Sequence, residues 1–283
     1  MSSGYRSSGI NARAPFAGRY RCLALLFIGF LCGQLAWAQL PTTLQPKTVQ
    51  EFDAYARNVE HELSLRWHGQ QPLLSVEDSS EQRNKVLHGE LVIRPGVPDN
   101  PHQLFDGLVH DWLGDVFMAD STVEKVLHVL QDFDYHSHIY PDVTRSRTLT
   151  HQVNHVTGYW RLEEKKQIIP VVLDAVDDAY YEPIAPGKWI CRAYAKDIVE
   201  VKDAGTPQET RLAAGRGNGF LWRLYGYWSL EAVNGGVLAE CRTLSLSRSI
   251  PAGLGWAVRP FIKSFPRDAL LSTLRSTREA AVR

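Results

Sequence analysis

The apolar positions change their period along the chain. Phe52, Tyr55, Val59, Leu63 and Trp67 recur at helical spacing behind Thr48 and Glu51, a T-x-x-E capping box, and predict a helix over 48–67. Residues 68–86 are mostly polar and read as irregular. Leu87–Ile93 alternates loosely and reads as a strand, which Pro95, Gly96, Pro98 and Pro101 interrupt. A second extended segment runs from Leu108 to Met118. Ser121 and Glu124 repeat the capping pattern ahead of Val123, Val126, Leu127, Leu130 and Phe133, which lie on one helical face. DYHSHIYPDV (134–143) reads as a short helix or turn ended by Pro141.

From 142 to 248 the character changes to strand. Thr157–Gln167, Val171–Tyr181, Trp189–Val201, Gly219–Val233 and Val237–Arg248 are the candidates. Phe220, Trp222, Leu224, Trp228 and Leu230 share one parity of the fourth, and Tyr225 and Tyr227 share the other. Asn234-Gly235-Gly236 predicts a hairpin into the fifth. The chain closes on a helix whose stripe is Leu254, Val258, Phe261, Ile262 and Phe265, continued by Leu270, Leu271 and Leu274. This order predicts an α+β fold, a curved antiparallel sheet wrapped around a long C-terminal helix, with an extra N-terminal helix. If the last helix does not sink fully into the sheet, a cavity is left between them.

The leader changes the domain picture. Arg6, Arg13, Arg19 and Arg21 precede the apolar run 23–31 (LALLFIGFL) and a small-x-small site at Ala36-Trp37-Ala38, the three parts of a secretory signal peptide. An uncleaved membrane anchor is the alternative. The expected division is 1–38 signal peptide, 39–86 linker and N-terminal helix, and 87–283 the main domain. Export to the periplasm or outside the cell follows, with cleavage near Ala38-Gln39. The full 283 residues balance 31 basic against 31 acidic groups. Removing 1–38 takes away four arginines and no acid, leaving a formal charge of −4. Without a basic excess, no nucleic-acid partner is expected.

Several stretches carry a resemblance. They are GLVHDWLGDVFM (107–118), STVEKVLHVLQDFDYHSHIYPDV (121–143), TGYWRLEEKK (157–166), GNGFLWRLYGYWSLE (217–231), GGVLAECRTLSLSR (235–248) and IPAGLGWAVRPFIKSFPRDALLSTLRSTR (250–278). The chain resembles the START-like (SRPBCC) superfamily, the polyketide cyclase and coenzyme-Q-binding group, and in particular its exported bacterial members. The resemblance covers about residues 87–282 and implies a helix-grip fold with a pocket for a hydrophobic small molecule or lipid. It carries over no catalytic residue, because the superfamily's functions differ on one fold.

Candidate chemistry is sparse. G-x-S-x-G, H-E-x-x-H, C-x-x-C and G-x-x-x-x-G-K are all absent. No metal, cofactor or catalytic residue is expected. All ten histidines lie between His61 and His155, ahead of the strands and helix that should line the pocket. The cavity candidates are Trp160, Leu162, Glu164, Arg192, Phe220, Trp222, Tyr225, Trp228, Trp256 and Phe261. Aromatic stripes serve equally well as plain core. Asp174, Asp177 and Asp178 read as a solvated rim. Cys191 and Cys241 fall on strands expected to flank a third, about 9.6 Å apart. That exceeds the roughly 7 Å limit for a disulfide, so two buried free thiols are expected.

Three functional readings follow. The first is an exported carrier of an apolar ligand, with a transient membrane-surface contact through Arg259, Lys263, Arg267, Arg275 and Arg278. The second is a cyclase- or hydratase-like enzyme using Glu164, Arg192 or Tyr225 as acid/base groups in the same cavity. The third is an interaction module that docks a partner on the 48–67 helix.

Overall fold

The computed structural model describes residues 42–164, 171–250 and 255–283, and of Glu164 and residues 255–263 the backbone alone. In chain order the elements are β1 (Thr42–Thr43), α1 (Pro46–Trp67), α2 (Ser80–Leu87), β2 (Val92–Pro95), β3 (His102–Leu104), β4 (Gly107–Ala119), α3 (Val123–Gln131), α4 (His136–Ile139), β5 (Val143–Gln152), β6 (His155–Glu164), β7 (Val171–Ala185), β8 (Lys188–Ala195), β9 (Val199–Lys202), β10 (Thr210–Arg211), β11 (Arg216–Gly217), β12 (Arg223–Val233), β13 (Gly236–Arg248) and α5 (Gly255–Ala281). A 3-10 turn at Ser75–Asp78 precedes α2. The leader 1–38 lies outside the described residues. Among the described residues no helix is long and apolar enough to cross a membrane.

One large antiparallel sheet runs β5-β6-β7-β8-β12-β13-β4-β2, with β9 and β10 beside β7 and β3 beside β4. The β12–β13 hairpin turns at Asn234-Gly235 as its sequence predicts. Helices α3 and α4 carry the chain from β4 to β5 across the sheet. This is the α+β helix-grip architecture, with α5 as the gripped helix.

Both faces of the sheet are buried, which one-sided alternation does not suggest. On the inner face Val116, Met118, Trp228, Leu230, Val237 and Ala239 pack with Val126 and Leu130 of α3 and with Leu270 and Leu274 of α5. Gly114 of β4 permits the close approach of α5, because a β-carbon there would strike the Leu274 side chain. The C-terminal half of α5 is also pinned by hydrogen bonds. Ser121 Oγ donates to the Ala281 carbonyl at 2.8 Å, Tyr140 and Thr277 share a hydroxyl contact at 3.1 Å, and Arg278 donates to the Gly89 carbonyl at 3.0 Å.

On the outer face α1 lays Phe52, Ala56, Val59 and Leu63 against Val109, Trp222, Tyr225, Tyr227, Leu244 and Leu246. Leu73, Leu74, Val76 and Val86 cover Ile190 and Leu238 beside it. Polar contacts fix the seating. Arg242 forks onto Asp111 at 2.9 and 2.6 Å and reaches Glu62 at 3.0 Å, while Tyr55 donates to Asp111 at 2.8 Å. Tyr194 and Tyr227 both donate to Glu60. The apolar face of α1 is thus spent on its own sheet, so the third reading loses its docking face.

Several sequence expectations are corrected. Thr48 and Glu51 do not cap α1, which begins at Pro46 behind Gln45. Both instead hold Phe105, Thr48 Oγ1 donating to its carbonyl and Glu51 accepting from its N–H. The cap of α3 is Thr122, one residue after the expected Ser121. Leu87 ends a helix rather than opening a strand, because Ser79 caps an eight-residue helix within the polar stretch. β5 carries no apolar stripe and was not legible as a strand; most of its side chains are exposed. Trp189–Val201 is two strands, broken between Ala195 and Val199. Cys191 and Cys241 sit opposite Trp228 from either side and are buried free thiols. Burial pushes the Cys191 thiol up to about 12.

Two measurements test this packing. Phe52→Ala is expected to cost about 3–5 kcal/mol in denaturant unfolding, because it opens a cavity under α1; a change within error would show that α1 is not seated there. Asp115 is buried between Arg94 and Glu240, and its carboxyl is pushed up to about 8 by burial and by the Glu240 charge, against the pull of Arg94. Such a carboxyl holds its proton better folded than unfolded. Its contribution is full below the ordinary 3.8 and is lost as pH rises through about 8. Thermal midpoints should therefore fall toward alkaline pH, and fall less in Asp115→Asn; equal falls would place the charge elsewhere.

Candidate functional site

Strand register places the inner-face residues in rows across the sheet. One row runs Asp177–Ala195–Leu224–Ser245–His110, and the next runs Ala179–Ala193–Gly226–Thr243–Trp112. The third, Tyr181–Cys191–Trp228–Cys241–Gly114, is where α5 makes its close contact. Small residues lie within both rows: Ala195 beside Leu224 in the first, Ala193 and Gly226 in the second. Although they lie mid-sheet, Ala193, Leu224, Gly226, Thr243 and Trp112 are only half-buried. Among the described residues, nothing lies within 4 Å of a β-carbon built at Gly226. Close packing normally fills such a position; here no described side chain covers Gly226.

Among the described residues, the polar groups at the two ends of these rows are few. Asp177 shares its strand face with Leu173, Ala175, Ala179 and Tyr181, all core residues. Burial pushes its carboxyl up to about 7, with Asp178 adding to the rise and a hydrogen bond from Trp160 opposing it. At neutral pH it is therefore divided between donor and acceptor forms. At the β4 end, buried His110 bonds Ser247 Oγ at 3.0 Å, and burial lowers its imidazole to about 4, so it is neutral. His110 Nδ1 and Trp112 Nε1 are buried without a partner. Unpaired polar atoms of this kind cost about 1–3 kcal/mol each unless something satisfies them.

The expected cavity residues divide between the faces. Trp160 and Trp228 are buried on the inner face, and Leu162 and Phe220 pack partly buried against the same core. Glu164 lies on β6 opposite Val171, and Trp256 and Phe261 lie in α5; their side chains are outside the described residues. Arg192, Trp222 and Tyr225 are corrected: none faces the interior. Arg192 pairs with Glu182 at 3.1 Å and stands over Trp67 on the outer side. Tyr225 packs edge-on against Phe52. Trp222 precedes β12, so strand parity does not govern it, and it joins the α1 side.

The aspartates are corrected too. Asp174 is no solvated rim residue: it is buried, held by Arg161 at 2.7 Å and by Tyr159 at 2.7 Å. Asp177, read from the sequence as a rim residue, faces the inner side of the sheet. Its signal was the alternation 171, 173, 175, 177, 179, 181, in which it is the single polar member. Gly226 and Trp112 were legible only as parts of strands. Among the described residues no group of three His, Cys, Asp or Glu stands ready to hold a metal ion.

No protein-family profile matches the chain, and no curated protein does. Solved structures are similar in fold. One is a STAR-related lipid transfer protein fragment from Xanthomonas axonopodis, 20% identical, covering 64% of this chain and 97% of that one, with a TM-score of 0.45. Another is human STARD10, 13% identical, covering 71% of this chain and 78% of that one, with a TM-score of 0.40. A third is the Zhui aromatase/cyclase from a Streptomyces species, 12% identical, covering 61% of this chain and 93% of that one, with a TM-score of 0.40. Likeness at this level says nothing of ligand or activity.

The titration of Asp177 is open to measurement. Because its folded value is raised, its contribution to stability is full below 3.8 and is lost as pH rises through about 7. Asp177→Asn is expected to flatten this part of the stability profile and to remove a tryptophan-fluorescence titration arising at Trp160. A profile that the substitution leaves unchanged would put Asp177 in solvent.

Proposed function

We propose that the chain is an exported binding or carrier protein that holds a hydrophobic small molecule or lipid between the inner sheet face and α5. The observation that carries this reading is that, among the described residues, nothing lies within 4 Å of a β-carbon at Gly226, between Ala193 and Thr243 on the inner face of the central strands. An apolar ligand placed there gains about 25 cal/mol for each Å² removed from water. Asp177 at one end, and His110 Nδ1 with Trp112 Nε1 at the other, supply the few polar contacts that orient a head group. The leader supports export. The basic positions Arg259, Lys263, Arg267, Arg275 and Arg278 support a transient membrane contact during loading.

One observation favours a second reading, a cyclase- or hydratase-like enzyme. Asp177 is an inward carboxyl poised near neutral pH, as a general acid/base must be. The acid/base set expected from sequence is not assembled, since Arg192 and Tyr225 face outward.

Native mass spectrometry with solvent extraction, on protein taken from its export compartment, tests the carrier reading. Wild type is expected to carry an apolar molecule, and Gly226→Leu to lose it while keeping its thermal midpoint. An empty wild type, or equal loading of a folded Gly226→Leu, overturns it. If Asp177→Asn keeps the molecule but stops a chemical conversion seen with wild type, the enzyme reading replaces it.

A further inference from the structure

The outer face of the sheet is covered by α1 over β8, β12, β13 and β4, but its other end carries a different surface. There a depression of about 340 Å³ is lined by Arg145, Arg147, Arg161, Arg211, Tyr159 and Asp174. Tyr159 and Arg161 alternate with the inward Trp160 and Leu162, so this site is separated from the concave interior by the thickness of the sheet.

The arrangement is electrostatically uneven. Arg161 is buried and neutralised by Asp174 at 2.7 and 2.9 Å and by Glu209 at 2.9 Å. Arg211 shares Asp174. Among the contacts described, four guanidinium groups thus meet two carboxylates, Asp174 and Glu209. Arg145 sits directly opposite Arg161 on the β5–β6 ladder, and like charges in that position repel. Arg147 and Arg211 both stand over the Tyr159 ring, at 5.5 and 5.6 Å from its centre. A cation–π contact positions a guanidinium without cancelling its charge. The buried Arg161–Asp174 pair, by contrast, is rigid, so it fixes the floor of the depression.

We infer that this depression is an anion site that takes a phosphate group, with Arg145 and Arg147 as its exposed donors and the Arg161–Asp174–Arg211 cluster as its floor. Guanidinium forks match phosphate oxygens in pairs, and a concave setting concentrates their field. The phosphate belongs to a soluble phosphate compound or to a lipid head group. The site is independent of any ligand in the interior.

Calorimetric titration of the full chain with inorganic phosphate, and cosedimentation with phosphatidylcholine vesicles with and without phosphatidic acid, read the two sources. Because Arg145 and Arg147 are exposed, the double variant Arg145→Gln, Arg147→Gln is expected to fold, with an unchanged thermal midpoint. It should weaken phosphate binding by about tenfold or more, the scale of one lost charge-assisted hydrogen bond. Arg223→Gln, beside Asp197 elsewhere on the sheet, should leave it unchanged. Vesicle capture that needs phosphatidic acid and is lost in the double variant supports the site with a lipid source. Phosphate binding without vesicle capture supports it with a soluble source. No saturable binding of either probe overturns the inference, and so does binding that the double variant leaves intact.

Discussion

A twisted antiparallel sheet whose two faces are both apolar must be covered twice, and this constraint organises the chain. The central strands β12, β13 and β4 present large side chains on both sides, and neither face can be left to water. The inner face receives α3 and α5, and the outer face receives α1 and the 3-10 turn with α2. The N-terminal helix is thus a structural wall of the domain. Its burial of Phe52 and Leu63 against Tyr225, Tyr227 and Leu244 explains why an aromatic-rich strand needed partners on both parities.

The two faces are finished differently. The outer one is closed by charge pairs as well as by apolar contact: Arg242 with Asp111 and Glu62, and Arg94 with Glu240, beside the Asp115 carboxyl that burial and the Glu240 charge keep protonated. Buried pairs of this kind add little net stability compared with apolar packing, but losing one member costs about 3–5 kcal/mol. The Arg242 pairs therefore fix where α1 sits more than how strongly it is held, and the Arg94–Glu240 pair does the same for the 3-10 turn through Ser75. The inner face has fewer such groups and more small side chains. α5 is pinned along its C-terminal half at Gly114, Thr277 and Ala281, and no described side chain comes within 4 Å of a β-carbon at Gly226.

The inner face under α5 and the arginine depression lie on opposite sides of the same strands. Period-two alternation makes this arrangement inexpensive: on β6, Trp160 faces one environment and Tyr159 and Arg161 the other. On β7, Asp177 faces inward while Asp174 faces outward, and the two carboxyls are driven in opposite directions. Burial raises the first, and the paired guanidiniums hold the second below the usual carboxylate range.

What the sequence determined by itself was the class of architecture and the elements with strong period. The amphipathic helices, the Asn-Gly hairpin, the order of β8, β12 and β13, and hence the unbridged thiols, all follow from local pattern and strand spacing. β5 was not legible because its side chains are mostly exposed and leave no stripe. α2 was hidden because a short polar helix has no apolar face to announce it. Thr48 and Glu51 carry a capping signature that the structure spends on Phe105, since a local motif cannot say which backbone will come within reach. The assignment of Trp222, Tyr225, Arg192 and Asp177 to faces was decided only in three dimensions. Parity relates neighbours within one strand, but which parity meets α1 and which meets α5 depends on contacts between residues far apart in the chain.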